Sequence, residues 1–104
     1  MNGGFLRRWL KHLLARAKPS HLDDLAPTLA RIAAGHRLAF RNDGAIFHEP
    51  GKFASPRPPG HYREYVDPTE GMAGPGPRRI IIGQDGELYY TKDHYKSFSK
   101  LNYA

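Results

Sequence analysis

An α+β domain, with N-terminal helices packed on a C-terminal antiparallel β-sheet, is the fold this sequence predicts. Three observations lead there. Up to Gly35 the apolar residues recur at three- and four-residue spacing, as on one face of a helix. From Phe40 onward the chain breaks into short β-prone runs separated by glycine and proline. Helices first and strands afterwards segregate into an α+β arrangement, and a length of 104 residues suits a single small core.

The first segment, GFLRRWLKHLLARAKP, places Phe5, Leu6, Trp9, Leu10, Leu13, Leu14 and Ala17 on one helical face. Arg7, Arg8, Lys11, His12, Arg16 and Lys18 interrupt it, so it contains no continuous apolar core of a signal peptide and no membrane span. Such a basic amphipathic helix suits an anionic membrane surface or a docking face on its own domain, and the sequence leaves both open. A second helix is expected in SHLDDLAPTLARIAAG, with Ser20 as N-cap, acids in the first turn and Gly35 at the stop. Leu22, Leu25, Leu29 and Ile32 form its buried stripe. Pro27 suggests an effective start near that residue, because proline is tolerated in a first turn and not in the interior. Residues 1–19 are read as a basic extension and 20–104 as the main domain.

An Asp-Gly turn in FRNDGAIFHE precedes a strand, and KFASPRPPGH is a proline-rich loop unable to pair in a sheet interior. HYREYVD, RRIIIG and ELYYTKDHYKSFSKL follow as three antiparallel strands, connected through PTEGMAGPGP and QDG. Side chains alternate along a strand, so Glu64 shares a face with Tyr62, Arg79 shares one with Ile81, and Asp93 and Tyr95 fall opposite His94.

Sixteen Lys and Arg oppose ten Asp and Glu, a formal net charge of +6, which points to polyanionic partners. Cysteine is absent, which excludes disulfides and cysteine-ligated metal sites. His12, His21, His36, His48 and His61 lack ligand spacing and read as surface or loop residues, so no metal or other cofactor is expected. A carboxylate, a guanidinium and an imidazole on adjacent strands, namely Glu64, Arg79 and His94, supply a base, an anion-stabilising charge and an acid. That set is sufficient for phosphoryl transfer without a metal.

The wording from Phe40 to Leu101, through FRNDGAIF, HYREY, RRIIIG and YYTKDHYKSF, resembles the barnase-like microbial (guanyl-specific) ribonucleases. The resemblance places the family's acid-base glutamate on Glu64, its phosphate-binding arginine on Arg79, and its catalytic histidine followed by tyrosine on His94 and Tyr95. It implies endonucleolytic cleavage of single-stranded RNA through a 2′,3′-cyclic phosphate, by a monomer, with an acidic protein inhibitor as a second kind of partner. The family is secreted, although no recognisable signal peptide stands in this chain.

Two departures stand out. A further family arginine, four residues before Arg79, is Pro75 here, so a phosphate contact is expected to be lost unless Arg78 or a lysine substitutes. The guanine-reading segment is replaced by FHEPGKF, where the reading glutamate's place falls on Gly51 and Pro50 removes a backbone donor. Phe47, His48, Glu49 and Tyr95 are then the residues expected to hold the base, with Phe47 equally suited to strand core. A weaker preference for guanine than the family norm is the expected result. Two other readings share the fold: an RNA-binding protein that has lost turnover, and a ribonuclease toxin domain delivered to other cells.

Overall fold

The computed structural model describes residues 19–48 and 57–101. The chain divides into two units, residues 1–38 with 102–104 and residues 39–101. The helix expected in the first segment and the altered segment from Glu49 to Phe53 lie outside the described residues.

In the first unit, helix α1 (Pro19–Ala33) begins well before Pro27, which stands in its interior. This corrects the expected start. Pro19 occupies the first position, where a missing N–H costs nothing, while Pro27 is exposed and forfeits one intrahelical bond. The helix continues through it because Leu25, Thr28, Leu29, Ile32 and Ala33 are buried, each large apolar side chain contributing about 1.5–3 kcal/mol. Ser20 is accordingly a helical residue and no N-cap, and no acid stands in the first turn. The side chain of Leu22 lies outside the described residues. Gly35 ends the helix at φ 77°, with Gly35 N–H donating to Ile32 C=O and His36 N–H to Arg31 C=O, both at 3.0 Å. That pair of bonds is a Schellman stop.

The second unit is a five-stranded antiparallel meander in the order β1 (Ala45–Ile46), β2 (Tyr62–Val66), β3 (Arg79–Gly83), β4 (Leu88–Thr91), β5 (Ser99–Lys100). The expected third strand, ELYYTKDHYKSFSKL, is thus two strands separated by the turn 92–98. Register pairs Glu64 with Ile81, Val66 with Arg79, Ile81 with Tyr89 and Arg79 with Thr91. One face therefore carries Tyr62, Glu64, Val66, Arg79, Ile81, Tyr89 and Thr91, and the alternation expected for β2 and β3 is observed. Phe47, Tyr62, Ile81 and Tyr89 form an apolar cluster on this face, with Tyr95 and Phe98 packed against it. Ile80, Ile82 and Leu88, on the opposite face, are buried too, so the central strand β3 reads as an unbroken apolar run.

The Asp-Gly turn before β1 is present, with Gly44 at φ 85°. β1 is too short to reach the far end of β2. There Asp43, fully buried, accepts the Val66 N–H at 3.0 Å in place of a strand partner.

Candidate active site

Glu64 and Arg79 are diagonal neighbours across the β2–β3 ladder, and both are buried, Arg79 to 2% exposure. Arg79 Nε lies 3.7 Å from Glu64 Oε2, an ion-pair separation too long for a hydrogen bond. The guanidinium is anchored from its other side, where Nη1 donates to Gly76 C=O at 2.6 Å and to Arg78 C=O at 2.9 Å. Gly76 can present its carbonyl there because it adopts φ +70°, and a Cβ at this position would stand 2.8 Å from Thr69 Oγ1. Arg79 Nε is left as a buried donor without a hydrogen-bond partner. A buried unpaired donor on a cation is costly unless an anion is meant to arrive.

His94 and Tyr95 reach this face from the turn between β4 and β5, and no strand runs through them. Their φ angles are 58° and 73°, in the left-handed region that side-chain-bearing residues seldom enter. The strand alternation expected for Asp93, His94 and Tyr95 is therefore replaced by a turn, which folds Tyr95 back over the sheet. The Tyr95 hydroxyl donates a hydrogen bond to Glu64 Oε2. Its ring stacks on Phe47 at 5.7 Å and has the Arg79 guanidinium 5.9 Å from its centroid. Burial, and then the negative charge of Glu64 at its hydroxyl, push Tyr95 up to about 12, so it remains a donor throughout the neutral range. The exposed His94 ring lies 5.0 Å from that of Tyr95, and His94 N–H donates to Pro77 C=O at 3.0 Å. Tyr95 thus connects the imidazole to the carboxylate.

Of the other residues expected to bind substrate, Arg78 is committed elsewhere. Its Nε and Nη2 donate to Asp67 Oδ2 at 2.8 and 2.6 Å, and the Asp67 side chain is buried. That pairing engages the guanidinium expected to substitute for the missing arginine, while 32% of the Arg78 side chain stays exposed. Phe47 is 7% exposed and lies within the aromatic cluster, which is the strand-core alternative. His48 is exposed, and Glu49 lies outside the described residues.

His61 departs from its expected surface placement. It is buried, with Nε2 2.9 Å from Glu87 Oε2, and Arg57 bonds Asp85 at 2.9 Å and Glu87 at 3.3 Å. Burial pushes the Glu87 carboxyl up, yet hydrogen bonds from His61 and from the Glu87 and Asp85 backbone, with the charge of His61, together outweigh it and leave the group below its usual range. His61, Asp85 and Glu87 each place a possible ligand atom within 4.8 Å of the others. Arg57 already supplies the positive charge there. Gly83 makes this cluster possible, since a Cβ on it would collide with the Glu87 carboxylate.

Sequence reasoning missed the residues that shape the turn, Thr91, Asp93 and Ser97. The available signal was a run of polar residues that favour turns and hydrogen-bond their own backbone, embedded between aromatic residues that favour strands.

A family model described as ribonuclease matches residues 19–102. Guanyl-specific ribonuclease Sa3 of Kitasatospora aureofaciens is 38% identical over 89 residues, covering 85% of this chain and 61% of that protein. Guanyl-specific ribonuclease St of Saccharopolyspora erythraea is 35% identical over 81 residues, 74% of this chain and 80% of the relative. The chain therefore spans less than two thirds of the first relative and most of the second. Among solved structures, ribonuclease Sa2 in complex with mononucleotides superposes with a TM-score of 0.68 at 30% identity, covering 77% of this chain and 83% of that one. Ribonuclease Sa2 with guanosine-2′-cyclophosphate gives 0.66 at 30% identity, over 77% and 85% of the two chains.

Proposed function

The chain belongs to the microbial guanyl-specific ribonuclease family, and from that premise we propose that it is an endoribonuclease cleaving single-stranded RNA through Glu64, Arg79 and His94. The observation that carries the assignment is the buried Glu64–Arg79 pair with its unpartnered Nε donor, roofed by the tyrosine that leads to His94. An RNA-binding surface without turnover has no need of such a constellation.

In the proposed reaction Glu64 takes the proton of the ribose 2′-hydroxyl and O2′ attacks the adjacent phosphorus. The P–O5′ bond breaks as His94 delivers a proton to O5′, leaving a 2′,3′-cyclic phosphate. Water then opens the cycle, with His94 removing its proton and Glu64 returning one to O2′. Arg79 offers its guanidinium to the non-bridging oxygens of the charged five-coordinate phosphorane, in a buried setting where a charge-assisted bond is strongest. Tyr95, protonated at neutral pH, donates to Glu64 Oε2 and keeps the carboxylate oriented, which leaves Oε1 to receive the substrate proton. DNA lacks the attacking hydroxyl and does not react.

Base choice is proposed to be less strict than in the named relatives, because Pro50 and Gly51 stand where a backbone donor and a reading carboxylate are needed. The formal net charge of +6 suits an acidic protein inhibitor as a second partner of a monomeric enzyme.

Purified protein incubated with single-stranded RNA in chelator tests the activity, with the cyclic phosphate as the expected first product and a bell-shaped dependence of rate on pH. Cleavage of DNA at an equal rate, or cleavage abolished by chelator, rules the mechanism out. Initial rates on GpN and ApN dinucleotides, in wild type and Glu49→Ala, test base choice. A strong guanine preference that vanishes in Glu49→Ala would instead make Glu49 the reading carboxylate.

A further inference from the structure

The turn that carries His94 and Tyr95 is held by side chains that take no part in the proposed chemistry. Thr91 Oγ1 donates to Asp93 Oδ1 at 2.9 Å and accepts the Tyr95 N–H at 3.0 Å. Asp93 Oδ1 also accepts the Ser97 N–H at 2.9 Å, and Asp93 Oδ2 accepts the Ser97 hydroxyl at 2.6 Å. Three residues thereby close the stretch from the last position of β4 to two residues before β5. Inside it stand two consecutive left-handed residues, neither of them glycine. A chain does not adopt that conformation unaided, and surrounding bonds must over-determine it.

Thr91 roots this knot in the site. It is almost fully buried, and it pairs directly with Arg79 across the β3–β4 ladder. The strand that positions the guanidinium is thus bonded, through one threonine, to the backbone of the tyrosine that touches Glu64. Resting on the catalytic assignment above, we propose that Thr91, Asp93 and Ser97 are positioning residues, holding His94 and Tyr95 in the geometry that turnover requires. The side-chain bonds of the three run within the turn, and Thr91 meets Arg79 only as its partner in the ladder. Their effect falls on the placement of the proton donor, and misplacement by about 1 Å is enough to cost about 100-fold in rate. The Asp93 carboxyl, held down to about 2 chiefly by the Ser97 hydroxyl, stays a charged acceptor over the whole working range.

The test compares Thr91→Val, Asp93→Ala and Ser97→Ala with the conservative variants Thr91→Ser and Asp93→Asn, using a dinucleotide substrate. Rates are taken at a temperature where circular dichroism shows every variant folded, with His94→Ala as the reference for a lost catalytic group. Thr91→Val and Asp93→Ala are expected to lower kcat about 10- to 100-fold with KM changed less than about twofold. Thr91→Ser and Asp93→Asn should recover most of kcat. Ser97→Ala, which removes one exposed hydroxyl and leaves the backbone bond, should show the smallest loss. The Tyr95 amide and the His94 ring resonances should move in the variants that lose kcat and return in the rescued ones. If kcat stays within twofold of wild type in Thr91→Val and Asp93→Ala while His94→Ala is inactive, the positioning role is refuted and the catalytic assignment stands. If kcat falls only as the folded fraction falls, the knot is merely structural and the proposal is equally refuted. A fully active His94→Ala overturns the catalytic assignment itself, and this inference with it.

Discussion

Glu64 and Arg79 sit on paired strands, where the β2–β3 ladder sets their separation, whereas His94 and Tyr95 ride a turn whose shape depends on side-chain hydrogen bonds. The first pair is buried and charged, so each member is part of what stabilises the other. The second pair extends from a strained turn, with His94 in solvent and Tyr95 folded onto the sheet. The contrast teaches that the two proposed proton-transfer groups carry different structural debts. Glu64 has a place in the fold beside its proposed part in the reaction, while the proposed part of His94 stands alone.

Substitution of the two groups separates these debts most sharply. Glu64→Ala and His94→Ala should each lose at least ~100-fold in cleavage rate, measured on single-stranded RNA. Only Glu64→Ala should also lose stability, by about 3 kcal/mol in urea unfolding, because it leaves the Arg79 guanidinium buried and unbalanced. His94→Ala should stay within about 0.5 kcal/mol of wild type. Glu64→Gln, which keeps an acceptor for Tyr95, is the cleaner probe of chemistry. Equal stability losses in Glu64→Ala and His94→Ala would erase the distinction.

Arg79→Lys addresses the sheet-borne half alone. It keeps a charge but gives up the planar fork that bonds Gly76 and Arg78 on one side and offers Nε on the other, so a rate loss of at least ~10-fold is expected. A lysine enzyme of full activity would show that charge alone suffices.

Tyr95→Phe cuts the link between the halves. Loss of its hydrogen bond to a carboxylate should lower stability by about 1.5 kcal/mol. Its titration gives a second readout. The folded value of about 12 lies above the reference of 10.0, so the neutral phenol is favoured by folding. This contribution is complete below pH 10 and is lost as pH rises from 10 toward 12. Tyr95→Phe should lack that alkaline component, and an unchanged alkaline profile would deny that burial and Glu64 raise the phenol.

The smallest effect belongs to Asp93, whose folded value of about 2 lies below its reference of 3.8. Its contribution is complete above pH 4 and is lost as pH falls through 4 toward 2. Asp93→Asn should flatten that part of the acid unfolding curve, by an amount limited by solvent screening of a half-exposed group.

Strand-level features were readable because their period is local. Alternation in HYREYVD placed Glu64 with Tyr62, and the apolar run in RRIIIG marked a strand with Arg79 and Ile81 on one face. The Asp-Gly turn carried its own signal. Other features were hidden because the deciding partner is distant. Parity separates Arg78 from Arg79, but only Asp67 reveals which guanidinium is spent on a structural pair. His61, read as a surface or loop residue, does stand in the loop before β2, and only its burial beside Glu87, brought close by the β3–β4 turn, was hidden. Pro27 suggested a helix start because the apolar burial that carries α1 through it cannot be weighed from spacing.

Alone, the amino-acid sequence determined the order of helix and sheet, the faces of β2 and β3, the basic charge, and the family wording around Glu64, Arg79 and His94. These follow from short-range periodicity and from residue types that tolerate few alternatives. Only the tertiary structure decided that the strand holding YYT stops at Thr91, that His94 and Tyr95 turn back in a left-handed conformation, and that the Tyr95 hydroxyl meets Glu64. Tyrosine and phenylalanine on both sides of KDH favour an extended chain. Against that preference stand the bonds among Thr91, Asp93 and Ser97, together with the Pro77 carbonyl and the aromatic cluster, and these act only once the sheet has assembled.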